Sequence, residues 1–350
     1  MQHTPIKCGS DAHWHHNITE DDVVCWPTSL GWMMGPWLIF ASFLNGAPIA
    51  LYEGGPVERG FCEFVVDAKV TMMGLVPSIA KGWRASKCAD GLDFSNITRY
   101  SSSGEASNAD DYAWLMQLGQ PSGKAVPVVE YCGGTEIAGG YLANNLFETC
   151  YPAQFNGKIL GMDFVVLNEE NTEANINDAG EVFLIPPSIG LSTRILNRDN
   201  EEVYYQGCPT WNSKTLRRHG DRIIKLDGGA YCSDGRADNT MNLGGIKIGS
   251  AEIERVANVV SGIMETAAIG IPPTGGGPDQ LVIYAVMEAI DGAPDIAEIK
   301  SAMQQEIKTK LNPLFKISEV VATDKLPRTA SNKVMHKDLR KAYLEKSTAA

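Results

Sequence analysis

The sequence predicts an α/β protein: an N-terminal α/β part built on a mostly parallel sheet, a small β-rich subdomain, then a compact α+β C-terminal domain. Three observations carry this. Between Val23 and Tyr131, apolar strand-like runs alternate with helical runs, the mark of a parallel sheet with crossover helices. After about Gln154, short β-type runs alternate with turn residues. After Asp238 the texture changes again, to helices mixed with a few strands, so the expected divisions are 1–154, 155–237 and 238–350.

In order along the chain, VVCW reads as a strand, WLIFASFLNGA as a helix and PIALY as a second strand. Phe61 to Val70 is a short helix, followed by strand-like VTMMGLVP and an amphipathic helix. TRYSS (Thr98–Ser102) and VPVVEY (Val126–Tyr131) are two further buried strands, each expected to end in a glycine-bearing loop. Open α/β sheets bind ligands beyond the carboxyl ends of their strands, so those two loops are candidates on position alone. KILGMDFVVLN, GEVFLIPP, VYYQG and DRIIKLDGG supply the β-rich subdomain. Ala251 to Val260 is helical, Leu281 to Val286 a strand, Asp295 to Leu311 an amphipathic helix, and another helix starts near His336.

Composition narrows the function. The chain has 350 residues, 44% hydrophobic and 21% charged, enough for cores in more than one domain. A net charge of −12 argues against general affinity for nucleic acid or anionic membrane. The eight cysteines include no CxxC pair, which removes metal-site spacing and makes a disulfide framework an unsuitable reading. His13-Trp14-His15-His16 has no partner at ligand spacing and reads as a solvated segment. The most apolar stretch, Gly31 to Tyr52, is broken by glycines and prolines, so no membrane span is expected. Without a signal peptide at Met1 or a peroxisomal tripeptide at Ala350, a cytoplasmic location is expected.

The densest chemistry lies in Leu216 to Glu254, LRRHGDRIIKLDGGAYCSDGRADNTMNLGGIKIGSAEIE. It holds an acidic turn at Asp221, a Gly-Arg-x-Asp step ending at Asp238, and the glycine pair Gly244-Gly245 before Lys247. Earlier loops offer Ser103-Gly104-Glu105 and Glu130-Tyr131-Cys132-Gly133-Gly134-Thr135-Glu136. A threonine hydroxyl and glycine N–H groups donate to phosphate oxygens, while a neighbouring glutamate supplies a hard oxygen ligand. Taken singly, GGTE also reads as a strand-terminating turn, and Asp221 as an exposed turn residue or the acceptor for a ribose diol. LPRTASNKVM presents Lys333 on a polar loop, either solvated or a point charge for an anionic reaction centre.

Together YCGGTE, LRRHGD, GRADNTMNLGGIKIGSAEIE and LPRTASNK resemble, in order and spacing, the motifs of AMP-forming acyl-CoA synthetases of the adenylate-forming superfamily. WPTSLGWMMGPWLIFASFLNGAPIALYEGGP and the SSGEAS loop resemble the plant-type acyl-activating enzymes of the acetyl- and acetoacetyl-CoA synthetase branch. The resemblance implies a carboxylate substrate, ATP, Mg²⁺ and CoA, with an acyl-adenylate formed first and a thioester second. It implies Gly104 and Glu105 on one side of the adenine, Glu130 and Tyr131 on the other. Thr135 would touch the α-phosphate, Glu136 would hold Mg²⁺, Asp221 the ribose hydroxyls, and Arg236 the ribose or phosphate. Asp238 would be the hinge of a mobile C-terminal lid, Lys333 the adenylation lysine, and Gly245 the residue beside the pantetheine tunnel. Lys247 stands where acetyl-specific relatives have an arginine.

Departures from the family pattern add two expectations. The phosphate loop of the form SSGTTGxPK is not in the sequence, so the resemblance implies an incomplete N-terminal domain and weakened adenylation. Gly133 replaces a tryptophan that closes the acyl pocket in acetyl-specific relatives. A deeper acyl pocket is therefore expected, lined by Trp32, Met33, Ser103 and Gly133. A non-catalytic remnant that binds AMP, CoA or a partner protein is the alternative.

Overall fold

A computed structural model describes residues 3–105, 107–120, 122–243, 246–272, 279–287, 295–329 and 334–349. Gly245 and Lys333 lie outside the described residues, as do the side chains of Asp238 and Lys247. The fold is mixed α/β, and the chain divides into two compact units, Met1–Ser233 and Asp234–Ala350.

The first unit is built on strands β1 (Val24–Cys25), β2 (Ile49–Ala50), β3 (Met72–Leu75), β4 (Arg99–Ser102), β5 (Val128–Gly134), β6 (Gly139–Ala143) and β7 (Gly157–Lys158). They form one sheet in the order β2-β1-β3-β4-β5-β6-β7. β2 through β5 are parallel, and β6 and β7 add an antiparallel edge. Helices α1 (His3–Trp14), α2 (Met34–Leu44), α3 (Arg59–Asp67), α4 (Pro77–Ser86) and α5 (Ala109–Leu115) accompany this sheet. Strand alternation sorts neighbours to opposite faces. Met72 joins a core with Trp26, Trp37 and Tyr131, while Met73 joins another with Phe61, Trp83 and Tyr100. Start signals are local. Pro77 opens α4, and the Asn108 side chain accepts the Asp110 and Asp111 N–H groups at the start of α5.

Helix α1 was not legible in the sequence. Its buried residues include Lys7 and Asp11, so it has no apolar stripe at helical period. The expected solvated histidine segment is corrected here. His15 and His16 are 5% and 0% exposed, and His16 Nε2 lies 2.9 Å from Ser101 Oγ. His15 Nδ1 lies 3.2 Å from the Asn144 carbonyl oxygen.

Beyond this sheet come β8 (Phe164–Leu167), β9 (Ala179–Leu184), α6 (Asn200–Tyr204), the paired β10 (Thr210–Trp211) and β11 (Lys214–Thr215), β12 (Arg217–Lys225) and β13 (Tyr231–Arg236). β13-β12-β9-β8 form a second sheet. Asp221 lies inside β12, not in the turn expected from its sequence. The β12–β9 register shifts between Arg218 and Arg222, and Gly220 there has φ +86°. That left-handed position suits glycine, and β12 carries two extra residues there opposite β9.

The second unit opens with the hairpin β14 (Thr240–Leu243) and β15 (Ile246–Gly249) and helix α7 (Ser250–Ala257). Strands β16 (Ile263–Ile271), β17 (Gln280–Met287) and β18 (Ile317–Ala322) form its sheet, with β17 central. Helix α8 (Ile296–Lys310) buries Ile299, Met303 and Ile307, spaced four apart, in a core with α7 residues Ile253 and Val256. Helix α9 (His336–Ala349) contributes Leu339 to a second core with Ala267, Ile269 and Tyr284. Among the described residues, no helix is long and apolar enough to cross a membrane.

Candidate functional site

In the first unit, the carboxyl ends of β4 and β5 bring several of the expected residues together. β5 does not end in a loop after Tyr131, as the sequence suggested. It runs through Cys132-Gly133-Gly134, and only Thr135–Ile137 turns, as one short 3-10 element. Thr135 is exposed on that turn and Glu136 is half-buried.

Glu136 and Asp221 meet through a residue that the sequence reading passed over. His219 Nδ1 lies 3.2 Å from Glu136 Oε1, and its Nε2 lies 3.1 Å from Asp221 Oδ2. The imidazole side chain is 2% exposed and packs edge-on against Tyr141, ring centroids 4.7 Å apart. Tyr141 donates its hydroxyl to Asp221 Oδ2 at 3.0 Å, and Cys132 Sγ lies 3.4 Å from the same oxygen. The motif LRRHGD contains this histidine two positions before Asp221, on the same face of β12 by strand alternation. That spacing was the available signal.

Burial alone would pull His219 down, but the Asp221 and Glu136 carboxylates overcome it and push its pKa up to about 9. Burial pushes Glu136 up, yet His219 and Arg217 more than offset it, so its pKa lies below the ordinary value. Arg217 is fully buried, donates to Ser192 Oγ at 2.9 Å, and stacks 3.8 Å over the Tyr204 ring. His219 and Arg217 thus favour the ionised form of Glu136. A raised folded pKa stabilises fully below the ordinary 6.5 and is lost as pH climbs through about 9. The stability of the first unit should accordingly fall across that window, and His219→Gln should remove that part of the decline. Urea midpoints followed at several pH values by tryptophan fluorescence measure it. An unchanged difference between wild type and variant across the window would reject the ion pairing.

The second group surrounds Glu130. It is 3% exposed, burial raises its pKa to about 8, and Ser107 Oγ donates to its Oε2 at 2.8 Å. Its Oε1, like the neighbouring Asn144 Nδ2, has no hydrogen-bond partner among the described residues. A buried carboxyl oxygen and a buried amide N–H left without partners are groups that a polar ligand edge would satisfy. Glu105 turns the other way: its Oε2 accepts the Ser78 N–H at 3.0 Å at the start of α4, which stabilises that helix end. Gly104 is exposed, with φ +102°. Ser103, Trp32 and Met33 are half-buried, the last packed against the core that contains Trp37 and Tyr131.

Two expectations change. The Tyr131 side chain faces inward: its hydroxyl donates to Asp11 Oδ2 at 2.6 Å and the residue is 2% exposed, which leaves only its backbone to face a ligand. Gly133 does not open a pocket. A Cβ there would sit 2.0 Å from the Gly139 carbonyl oxygen, so the position faces the β6 backbone and not an acyl cavity. The register shifts there because β6 carries Tyr141 as one extra residue opposite the Cys132–Gly133 step, and the Gly139–Gly140 backbone is brought against Gly133. In the second unit Arg236 is exposed. No three histidine, cysteine or acidic side chains gather to hold a metal among the described residues.

The profile of the family described as "AMP-binding enzyme" matches residues 4–191, and that described as "AMP-binding enzyme C-terminal domain" matches residues 252–333. The chain is 47% identical over 346 residues to the hexanoyl-CoA synthase of Cannabis sativa, covering 98% of this chain and 48% of that protein. It is 47% identical to the probable acyl-activating enzyme 17, peroxisomal, of Arabidopsis thaliana, covering 96% of this chain and 47% of that protein. The chain thus spans about half the length of these curated relatives. In fold it is similar to the acetoacetyl-CoA synthetase from Streptomyces lividans, with a TM-score of 0.83 and 21% identity, over 96% of this chain and 51% of that one.

Proposed function

Because the chain belongs to the AMP-binding enzyme family, we propose that it forms the nucleotide-facing and C-terminal parts of an AMP-forming acid–thiol ligase. The whole protein would join a carboxylate to AMP at the expense of ATP, then pass the acyl group to CoA. The observation that carries this reading is the Glu136–His219–Asp221 cluster, which joins the turn after β5 to β12, with the orphan Glu130 oxygen further back along β5. Such a placement gives one pole for phosphate, one for a ribose diol and one for a base.

In this reading Glu130 and Asn144 meet the adenine edge, with Gly104 and the Glu105 and Tyr131 backbones against its faces. Asp221 takes the ribose hydroxyls, and Thr135 donates to the α-phosphate. A carboxylate attacks phosphorus directly and pyrophosphate leaves, so no general base is required and catalysis is positioning plus charge neutralisation. Mg²⁺ takes one or two carboxylates together with phosphates and waters. Glu136 fits as its single protein carboxylate, and when bound the ion would neutralise phosphate charge. Lys333, Arg236, Gly245 and Lys247 are assigned to the second unit's share of the reaction, with Asp238 as hinge and 1–154, 155–237 and 238–350 as functional divisions. A cytoplasmic location belongs to this proposal, although the Arabidopsis relative is named peroxisomal. The name of the Cannabis relative makes a medium-chain acid the substrate to try first.

These 350 residues contain no SSGTTGxPK loop, so we expect AMP binding by the chain with weak ATP–pyrophosphate exchange. Calorimetric titration with AMP should give binding that Asp221→Ala weakens at least about tenfold, the scale of a lost charge-assisted hydrogen bond. Failure to bind AMP at millimolar concentration would refute the reading. Thioester formation from pre-made hexanoyl-adenylate and CoA separates a catalytic chain from a binding remnant.

A further inference from the structure

Of the three residues in the Glu136–His219–Asp221 cluster, the proposed function gives a role to the two acids and none to the base between them. The base is also the buried member. The His219 side chain is 2% exposed, against 27% for Glu136 and 14% for Asp221. It lies behind both carboxylates, edge-on to the ring of Tyr141, which is itself buried and packs on Phe164. Whatever His219 does for a ligand, it does through the acids.

Asp221 depends on such help because its strand is irregular. Between the pairs Arg218–Phe183 and Arg222–Glu181, β12 carries three residues opposite one of β9, and the two strands fall out of step. Gly220, in the middle of the three, takes the left-handed φ of +86°. Pairing with β9 therefore does not set the Asp221 carboxylate, and side-chain contacts do. Three groups converge on its Oδ2: His219 Nε2 at 3.1 Å, the Tyr141 hydroxyl at 3.0 Å and Cys132 Sγ at 3.4 Å. The other ring nitrogen, His219 Nδ1, lies 3.2 Å from Glu136 Oε1. An imidazole carries its two nitrogens on diverging edges of a rigid ring. With an acid at each, it is a spacer that holds the two carboxylates at a set separation.

We infer that His219 is a positioning residue that spaces Asp221 from Glu136 and so presents the Asp221 carboxylate to the ribose diol of a nucleotide. The inference rests on the proposed function for the identity of that ligand. Its consequence is selective. Loss of the spacer should harm recognition of the diol and spare recognition of base and phosphate. Glutamine cannot replace the ring, because its N–H groups share one end and its carbonyl oxygen would face the second acid.

Calorimetric titration of the 350-residue chain with AMP and with 2′,3′-dideoxy-AMP, which lacks the diol, tests this. Magnesium is left out, so that the metal assigned to Glu136 plays no part. Wild type should prefer AMP at least about tenfold, and Asp221→Ala should remove the preference, on the scale of a hydrogen bond to a charged group. His219→Gln should cut the preference at least about threefold, while dideoxy-AMP binds within about twofold of wild type. Glu136→Ala should do the same by releasing the far end of the ring. Its site is a half-buried turn, so it carries the test if the buried substitution does not fold. The inference is overturned if the preference survives Asp221→Ala, or if either folded variant keeps the wild-type preference. Equal loss of affinity for both nucleotides in His219→Gln would also overturn it, as the mark of a merely structural role. In those outcomes AMP still binds and the proposed function stands. No binding of AMP by wild type would instead remove the proposed function, and this inference with it.

Discussion

Asp11→Ala is expected to destabilise the first unit by roughly 4 kcal/mol, the cost of leaving a buried charge and further polar groups without a partner. Asp11 is 1% exposed on α1, and Lys7 Nζ donates to its Oδ1 at 2.6 Å. Its Oδ2 accepts the Tyr131 hydroxyl at 2.6 Å and the Gly140 N–H at 3.1 Å. One carboxylate thus pins α1 to both strands of the β5–β6 hairpin, immediately behind the Thr135–Glu136 turn. Removing it strands Lys7, whose pKa burial already pulls down in spite of Asp11. Lys7→Met should cost less, because Asp11 keeps its tyrosine and amide donors. All seven tryptophans precede residue 212, so urea unfolding followed by their fluorescence reads the first unit alone. A loss below about 1 kcal/mol would mean that α1 does not hold the hairpin.

Gly133→Trp should abolish the folded hairpin instead of narrowing an acyl pocket. The added Cβ would meet Gly139 O at 2.0 Å and Gly140 Cα at 2.5 Å, both backbone atoms that cannot rotate aside. Even Gly133→Ala is expected to cost more than about 3 kcal/mol, above ordinary overpacking because backbone must move. Gly134→Ala is the control. Its Cβ would meet only the Glu136 carboxylate at 2.5 Å, which can swing clear. Equal stability of the two alanine variants by urea midpoint would show that the bulge between Cys132 and Gly133 is not formed. The expected deep acyl pocket must then be sought in Trp32, Met33 and Ser103, without a contribution from position 133.

What was legible in the sequence was local. Alternating apolar runs located β1 to β5 and their helices, because a strand buried on both faces is continuously apolar. Caps and prolines marked α4 and α5, and α8 showed its buried side through four-residue spacing. What was not legible depended on partners far along the chain. α1 hides a lysine and an aspartate whose burial makes sense only against Tyr131 and Gly140. The long strand β16 carries exposed Met264 near its start, and its pairing is set by β17.

The motifs by themselves determined the family, since Thr135, Glu136, Asp221, Arg236 and Lys333 follow in a characteristic order and spacing. They could not determine where those side chains point. Two backbone irregularities bear on that: Tyr141, an extra residue of β6 opposite the Cys132–Gly133 step, and the left-handed Gly220 before Asp221, where β12 carries two extra residues opposite β9. The first sets the β6 backbone against Gly133, while His219 and Asp221, two positions apart on β12, meet across one face. A bulge exists only where a partner strand opposes it, so no single strand's sequence records it, and the tertiary pairing alone assembled the site.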